Sequence, residues 1–344
     1  MLRVRNSCCE VEAVLRSPHC FNLEASDQRI IVMKAVRFHE FGGPEALHYD
    51  DAPKPVAGPG QALVRVAGSA FNAADAGIGA GTLPFPVSLP HVPGYDVSGT
   101  VEAVGDGVVD VAIGDHVIGF IPMDADGSAA EYVVVPADVL VPAPTTIDLA
   151  DAAALPSVAL TARQALFDDG GLTAGKRLLI TGAGGAVGGY AIQLASRAGA
   201  HVIATASPRS MASVRAAGAH EVIDHTRTAV LDAVTTPVDV LLNLAPISPE
   251  EFASLVSLVR DGGIVVATTA WMVTPGDDAR GVRTAGVFVR ADRDQLAELV
   301  ALVDRGELTV DVAQRVPLSE LPAIHAQAAA GGLRGKVVAV PDAN

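Results

Sequence analysis

The chain is short of cysteines, aromatics and positive charge, and each shortage closes off a class of function. Its 344 residues include 3 cysteines, Cys8, Cys9 and Cys20, all ahead of Met33. The body of the protein therefore has no disulfide and no thiolate zinc site, and a reducing, cytoplasmic setting fits. No apolar run reaches the ~20 residues needed to cross a bilayer. Lys and Arg number 24 against 39 Asp and Glu, a formal net charge of −15. A surface that negative repels phosphate backbones and anionic lipid, so neither nucleic acid nor membrane is expected as a partner. Aromatics make up 4% of a chain that is 50% hydrophobic. The apolar content is mostly Ala, Val and Leu, which suits packed helices and buried strands.

What is present divides the chain. Its length predicts two domains, each able to bury a core. Residues 1–32 read as an appended segment outside the fold, or alternatively as a regulatory arm carrying the Cys8–Cys9 pair. From Met33 to about Pro144, alternating β-branched stretches such as "ALVRVAGSAF" and "SGTVEAVG" are separated by Gly and Pro clusters, a pattern of a barrel-like β domain. "TIDLADAAALPSVALTARQAL" then has helical spacing. From Lys176 strands ("RLLIT", "HVIATA", "EVIDH", "DVLLNLA", "GIVVAT", "GVFVR") alternate with helices. Parallel neighbours need crossovers, so this rhythm predicts an α/β, doubly wound parallel sheet. One helix start is explicit: Ser248 as cap, Pro249 at the first helical position and Glu251 completing a capping box. The expected division is 33–155 with 292–344 for the β domain, and 156–291 for the doubly wound domain.

"RLLITGAGGAVGGYAIQLA", Arg177 to Ala195, contains five glycines between a short apolar run and a small-residue helix. Strand, glycine turn and helix form the context of a dinucleotide fingerprint, here Ala183, Gly185 and Gly188 in an A-x-G-x-x-G form. Gly182 and Gly184 loosen the turn, Gly185 admits a pyrophosphate, and Gly188 lets the helix approach the sheet. The helix N–H groups, starting at Ala186 and Val187, then face the anion. NAD sites usually place an acid at the end of the next strand. This chain has Ser207 there, followed by Arg209, donors and positive charge that suit a 2′-phosphate. The cofactor expected is NADPH.

These features, with "GGPEAL", "FNAADAGIGAG", "VPGYDVSGTVEAVGDGV", "GDHVIGF", "AGAHEVIDH" and the terminal "GKVV", resemble the zinc-independent, quinone-oxidoreductase-like branch of the medium-chain dehydrogenase/reductase superfamily. The resemblance implies a GroES-like β domain, a Rossmann domain, and a cleft between them in which NADPH reduces a quinone or an activated alkene. It also implies a homodimer, in many members paired through the last Rossmann strand, here near "AGVFVR". Zinc-bearing relatives carry a ligand cysteine where this chain has Asn72 and a Gly-His-Glu triplet where it has Gly94-Tyr95-Asp96, so no metal is expected. Some quinone-reductase members carry Tyr and Arg at positions that here are Gly77 and Gly79, which predicts a looser loop and a wider substrate pocket.

The resemblance also assigns roles. Asn72 faces the nicotinamide ribose or the substrate oxygen, and Tyr95, where a zinc ligand stood, offers a phenol to a carbonyl; each also has a purely structural reading. Asp75 ties down its own loop. Thr161 lies near the nicotinamide and phosphates, His225 near the adenine 2′-phosphate, and Lys336 near the cofactor phosphates; the alternatives are an interior helix threonine, an exposed strand-end histidine and a solvated lysine. Ala245, Pro246, Val287 and Phe288 line the nicotinamide through backbone groups. No dedicated acid is evident, so water supplies the proton. A short-chain dehydrogenase is the nearest enzymatic rival, and two features oppose it: Ala186 occupies a required glycine position, and no Tyr is followed four residues later by Lys. A non-catalytic NADPH-binding sensor or scaffold stays open.

Overall fold

The computed structural model describes residues 31–268 and 272–342, so the reading of residues 1–32 lies outside it except for Ile31 and Val32. The chain opens with an antiparallel pair, β1 (Val32–Phe38) and β2 (Leu47–Pro53). The β domain continues through β3 (Gln61–Ala70), the short helix α1 (Ala73–Gly79), β4 (Asp96–Val104), β5 (His116–Phe120), β6 (Tyr132–Pro136) and β7 (Leu140–Pro142). The stretch with helical spacing, residues 146–166, is not one continuous helix. It is instead divided into a 3-10 turn at Asp151–Ala154, α2 (Pro156–Arg163) and a π-helical stretch at Gln164–Asp169. Pro156 has no N–H to donate and a φ suited to the first helical position, so α2 starts there.

The doubly wound part follows as β8 (Arg177–Thr181), α3 (Ala186–Arg197), β9 (His201–Ala206), α4 (Met211–Ala216), β10 (Glu221–Asp224), α5 (Val230–Ala233), β11 (Val238–Asn243), α6 (Pro249–Leu255), β12 (Val259–Ala267) and β13 (Arg283–Gly286). These strands pair in parallel in the order β10-β9-β8-β11-β12-β13. The order reverses between β8 and β11, which makes the carboxyl ends of those strands the topological switch point where such sheets bind ligands. The last strand differs from expectation: it is "RTAG" rather than "GVFVR". Its register with β12 stops at Ala267↔Gly286, and after one more bond, Val287 N–H to Ala267 O at 2.8 Å, the chain turns away. Buried Gln164 holds that exit by bonding both the N–H and the carbonyl of Arg290.

The chain then returns to the β domain through α7 (Arg293–Asp304), β14 (Gln314–Pro317), α8 (Leu321–Ala329) and β15 (Val337–Val340). β15 pairs antiparallel with β3, so the C-terminal strands complete the seven-stranded sheet β14-β15-β3-β4-β5-β7, with β6 also on β3. Two contacts tie α3 to the β-domain segments across the junction. The Tyr190 hydroxyl donates to Ala154 O at 3.0 Å, and the Gln193 side chain bonds both backbone groups of Thr309.

Candidate active site

The glycine turn is required by the backbone around it. Gly182 has φ +71°, and a Cβ there would lie 2.8 Å from Ala245 N. A Cβ on Gly188 would lie 2.3 Å from Ala183 O, so only glycine lets α3 start this close to the turn. A Cβ on Gly184 would lie 2.5 Å from Ser210 Oγ. At Gly185, by contrast, the nearest atom would be 3.5 Å away, which leaves room for a ligand's approach. Gly185 is the N-cap residue of α3 and no side chain caps the helix. The N–H groups of Ala186, Val187 and Gly188 are therefore free to meet an anion, with the helix dipole favouring negative charge. The turn forms one wall of a cavity of about 300 Å³, whose other walls include Gln193, Val214, Asp311 and Lys336. A cradle that a Cβ would fill, at the switch point of a parallel sheet, fits a dinucleotide pyrophosphate.

Neighbouring strand ends are pinned to this turn. Buried Asn243, at the end of β11, accepts from Thr181 Oγ1 at 2.6 Å and from Ala245 N at 3.2 Å. That amide fixes Ala245 and Pro246 beside the turn; sequence reasoning missed it. At the end of β9, the Ser207 carbonyl accepts from Ser210 N and Met211 N, and the cap of α4 is Ser210. Arg209 is exposed, with no salt-bridge partner among the described residues. His225 is exposed, and its N–H donates to Ala206 O at 3.2 Å, which places it beside Ser207. Ser207 and His225 thus lie together beyond the carboxyl ends of β9 and β10, with Arg209 two residues further on.

The second half of the site is a buried polar network. Asn72 caps α1, and its N–H donates to Asp75 Oδ2 at 2.7 Å. Its Nδ2 donates to Asp96 Oδ2 at 2.9 Å and to Ala70 O at 3.3 Å, while its Oδ1 accepts from Lys336 Nζ at 2.5 Å and Ser157 Oγ at 3.2 Å. All four hydrogen-bonding positions of the amide are used, so Asn72 has no free donor for a substrate oxygen. Asp96, fully buried, accepts from Ser157 N, Ser157 Oγ, Asn72 Nδ2 and Lys336 Nζ at 2.7–3.0 Å. Lys336 is 4% exposed, and two of its three N–H donors serve this network. Thr161 bonds back to Ser157 O at 2.7 Å, one turn earlier in α2. Asp96 and Ser157 were not expected here. Asp96 sits in the quoted "GYD", but nothing local announces that Lys336 reaches it from 240 residues away.

Tyr95 does not reach the cleft. It is 1% exposed, and its hydroxyl bonds His91 Nε2 at 2.8 Å, while His91 Nδ1 meets Asp126 Oδ1 at 3.2 Å. A buried phenol needs a polar partner, and His91 is the one within reach. Burial also raises its pKa well above the usual phenol value. Asp75 is buried with Oδ1 unpartnered, and burial raises its carboxyl to about 7 against the pull of the Asn72 N–H and Lys336. The loop after Asn72 is not looser. A Cβ on Gly79 would lie 1.9 Å from the Phe38 ring and one on Gly77 would lie 2.9 Å from Leu83, so neighbours fill the space that larger side chains would need.

Among the described residues no group of three or more His, Cys, Asp or Glu is placed to hold a metal. The donor set at the expected zinc positions is also wrong: an amide bonded to an ammonium, and a phenol bonded to an imidazole, with no thiolate. No described helix is long and apolar enough to cross a membrane.

Comparison with known proteins places this geometry. The alcohol dehydrogenase GroES-like domain matches residues 58–145, and the zinc-binding dehydrogenase model matches residues 217–338. The chain is 30% identical over 333 residues to a chloroplast envelope quinone oxidoreductase homolog of Arabidopsis thaliana, covering 90% of this chain and 99% of that protein. It is 32% identical to the chloroplastic NADPH-dependent alkenal/one oxidoreductase of the same plant, covering 90% of this chain and 80% of that one. Among solved structures, the quinone oxidoreductase from Coxiella burnetii superposes with a TM-score of 0.84 at 31% identity, covering 91% of this chain and 100% of that one.

Proposed function

This chain belongs to the medium-chain dehydrogenase/reductase superfamily, among its quinone-oxidoreductase-like members, and from that premise we propose that it is a zinc-independent, NADPH-dependent reductase of quinones or activated alkenes. The observation that carries the reading is the glycine-rich turn Gly182–Gly188 at the switch point of the sheet, sharing a cavity wall with Lys336 of the Lys336–Asp96–Asn72 network. When bound, the reduced nicotinamide supplies a hydride to an electron-poor carbon of the acceptor.

The chain's own residues bind, orient and exclude water. The first N–H groups of α3 hold the pyrophosphate, and the third N–H of Lys336, on the wall of the same cavity, adds positive charge. Ser207, Arg209 and His225 receive the 2′-phosphate; an acid there would repel it. Ala245, Pro246, Val287 and Phe288 follow the carboxyl ends of β11 and β13 and offer backbone groups to the nicotinamide side. Asn72 and Tyr95 act as positioning residues, since the amide is fully bonded and the phenol is buried on His91. Thr161 stiffens the start of α2 beneath Ser157. Water provides the proton that completes the reduction.

The names of the two plant relatives, a quinone oxidoreductase homolog and an NADPH-dependent alkenal/one oxidoreductase, support this reading. A homodimer joined through the outer edge of β13 and a cytoplasmic location belong to the same proposal; sedimentation and cell fractionation test them. The test of function is to mix the protein with NADPH and a panel of quinones, enones and enals and follow the absorbance of reduced nicotinamide. Turnover with NADPH, and much weaker use of NADH, is expected. Tight NADPH binding with no turnover on any acceptor would replace this reading with a non-catalytic NADPH-binding protein.

A further inference from the structure

The cavity beside the glycine turn carries an acid on its wall. Two charged residues line it, Lys336 and Asp311. The Lys336 ammonium is matched by the Asp96 carboxylate 3.0 Å away. Asp311 is exposed, and among the described residues its carboxylate has no hydrogen-bond or salt-bridge partner. Lys336 and Asp96 cancel, so one uncompensated negative charge borders a cavity suited to an anion, in a molecule of net charge −15.

The backbone fixes Asp311 there from both sides. Two residues before it, Thr309 is bonded through its N–H and its carbonyl by the Gln193 side chain of α3, at 2.8 and 3.2 Å. Two residues after it, the Ala313 N–H donates to Lys336 O at 2.9 Å. Gly335 permits that approach: it has φ +63°, and a Cβ on it would lie 2.6 Å from the Ala313 Cβ. The segment therefore bridges α3 and Lys336, with Asp311 at its middle. The carboxylate is felt inside the cavity. Tyr190 is on the same wall, and its hydroxyl is held above the usual phenol range by burial first, then by the charges of Asp96 and Asp311. Gly185 and Gly189, on the α3 side, put no side chain into this space; a Cβ on Gly189 would meet nothing within 4 Å. A charge bordering such a partly enclosed space is screened less than one on open surface.

We propose that Asp311 sets the affinity of this site: its fixed negative charge opposes the pyrophosphate held at the start of α3, so that the dinucleotide binds loosely enough to exchange between turnovers. This rests on the dinucleotide reading of the turn above and adds to it the residue that limits affinity. The attraction comes from neutral N–H donors and Lys336, and Asp311 weakens it without touching the ligand. Its effect falls on the pyrophosphate that NADPH and NADH share, whereas Arg209 acts on the 2′-phosphate alone. A carboxylate that instead accepted a hydrogen bond from a ribose hydroxyl would act with the opposite sign, because its loss would weaken binding.

The sign of the effect is the test. Dissociation constants for NADPH, NADH and inorganic pyrophosphate are measured by calorimetry on the wild type, Asp311→Asn and Asp311→Lys, at low and high salt. Asp311→Asn is expected to tighten all three ligands at low salt by about three- to ten-fold, and Asp311→Lys to tighten them further. The gain should shrink at high salt, where like-charge repulsion is screened. Melting temperatures should stay within about 2 °C of the wild type, since the side chain has no partner to lose. Unchanged or weaker binding in Asp311→Asn, a gain confined to NADPH, or a gain that persists at high salt would overturn the proposal. Pyrophosphate tightening in both variants, with neither dinucleotide bound by any form, would uphold the charge effect of Asp311 and remove the dinucleotide reading.

Discussion

Neutralising Asp96 should damage the protein more than removing its partner Lys336. The pair is buried, with side-chain exposures of 0% and 3%, and its atoms are 3.0 Å apart. In Asp96→Asn the Lys336 ammonium stays in the core without its hydrogen-bonded counter-ion, its two network bonds now both to amide oxygens. Leaving a buried charge without its counter-ion costs about 3–5 kcal/mol. Unfolding entropy of ~2.1 cal/mol/K per residue over 344 residues is ~0.7 kcal/mol/K, so the melting temperature should fall by about 4–7 °C. In Lys336→Met the Asp96 carboxylate keeps three donors, Ser157 N, Ser157 Oγ and Asn72 Nδ2, and the drop should be smaller. The double variant removes both charges of the pair and should recover most of the lost stability, since apolar replacement of a buried pair is often near neutral. It should not recover NADPH affinity, because the Lys336 charge on the cavity wall is gone. Scanning calorimetry of the three variants, with NADPH titrations alongside, reads all of this. A change of less than about 1 °C in Asp96→Asn, or a double variant no better than that single one, would refute the account of the network.

Arg209→Ala should weaken NADPH by at least about ten-fold, the loss of one charge-assisted phosphate contact, and leave NADH nearly unchanged in parallel titrations. Gly188→Val should abolish measurable NADPH binding and lower the melting temperature, because its Cβ would lie 2.3 Å from Ala183 O. Gly189→Ala, one residue on, where a Cβ would meet nothing within 4 Å, should instead fold normally and gain about 0.5–1 kcal/mol of helix stability. His325 is buried with Nε2 unpartnered, and burial lowers it from 6.5 to about 4. Its folded value lies below its unfolded one, so it leaves stability untouched above pH 6.5 and reduces it as pH falls toward 4. Melting temperatures measured across that range should show this limb in the wild type and a flatter one in His325→Leu.

Local chemistry was legible in the sequence, and distant contact was not. The turn at Gly182–Gly188 and the cap Ser248, which accepts from Glu251 N at 3.1 Å, each depend on residues a few positions apart, so their spacing announced them. The alternation of strands and helices likewise showed the parallel sheet. The final strand was displaced to Arg283–Gly286 because its length depends on where β12 ends, not on the β-branched character of "GVFVR". Asn72 could be read either as a group facing the reaction or as a structural asparagine, because its neighbours Asp96, Ser157 and Lys336 converge only in three dimensions. Tyr95 admitted two readings, a phenol offered to a carbonyl or a buried structural tyrosine, and the sequence alone does not show that the ring is buried with its hydroxyl toward His91. Gly77 and Gly79 implied open space, whereas Leu83 and Phe38 occupy it.

The most direct test of the central claim is to trace the transferred hydrogen. The metal-stripped protein is given NADPH deuterated at the nicotinamide C4 position together with a cyclic enone, and the product is examined by mass spectrometry and NMR. The account predicts one deuterium on the carbon β to the carbonyl, a solvent-derived hydrogen on the α carbon, and a rate unaffected by added zinc. Product lacking the deuterium, or turnover that appears only when zinc is restored, would contradict it.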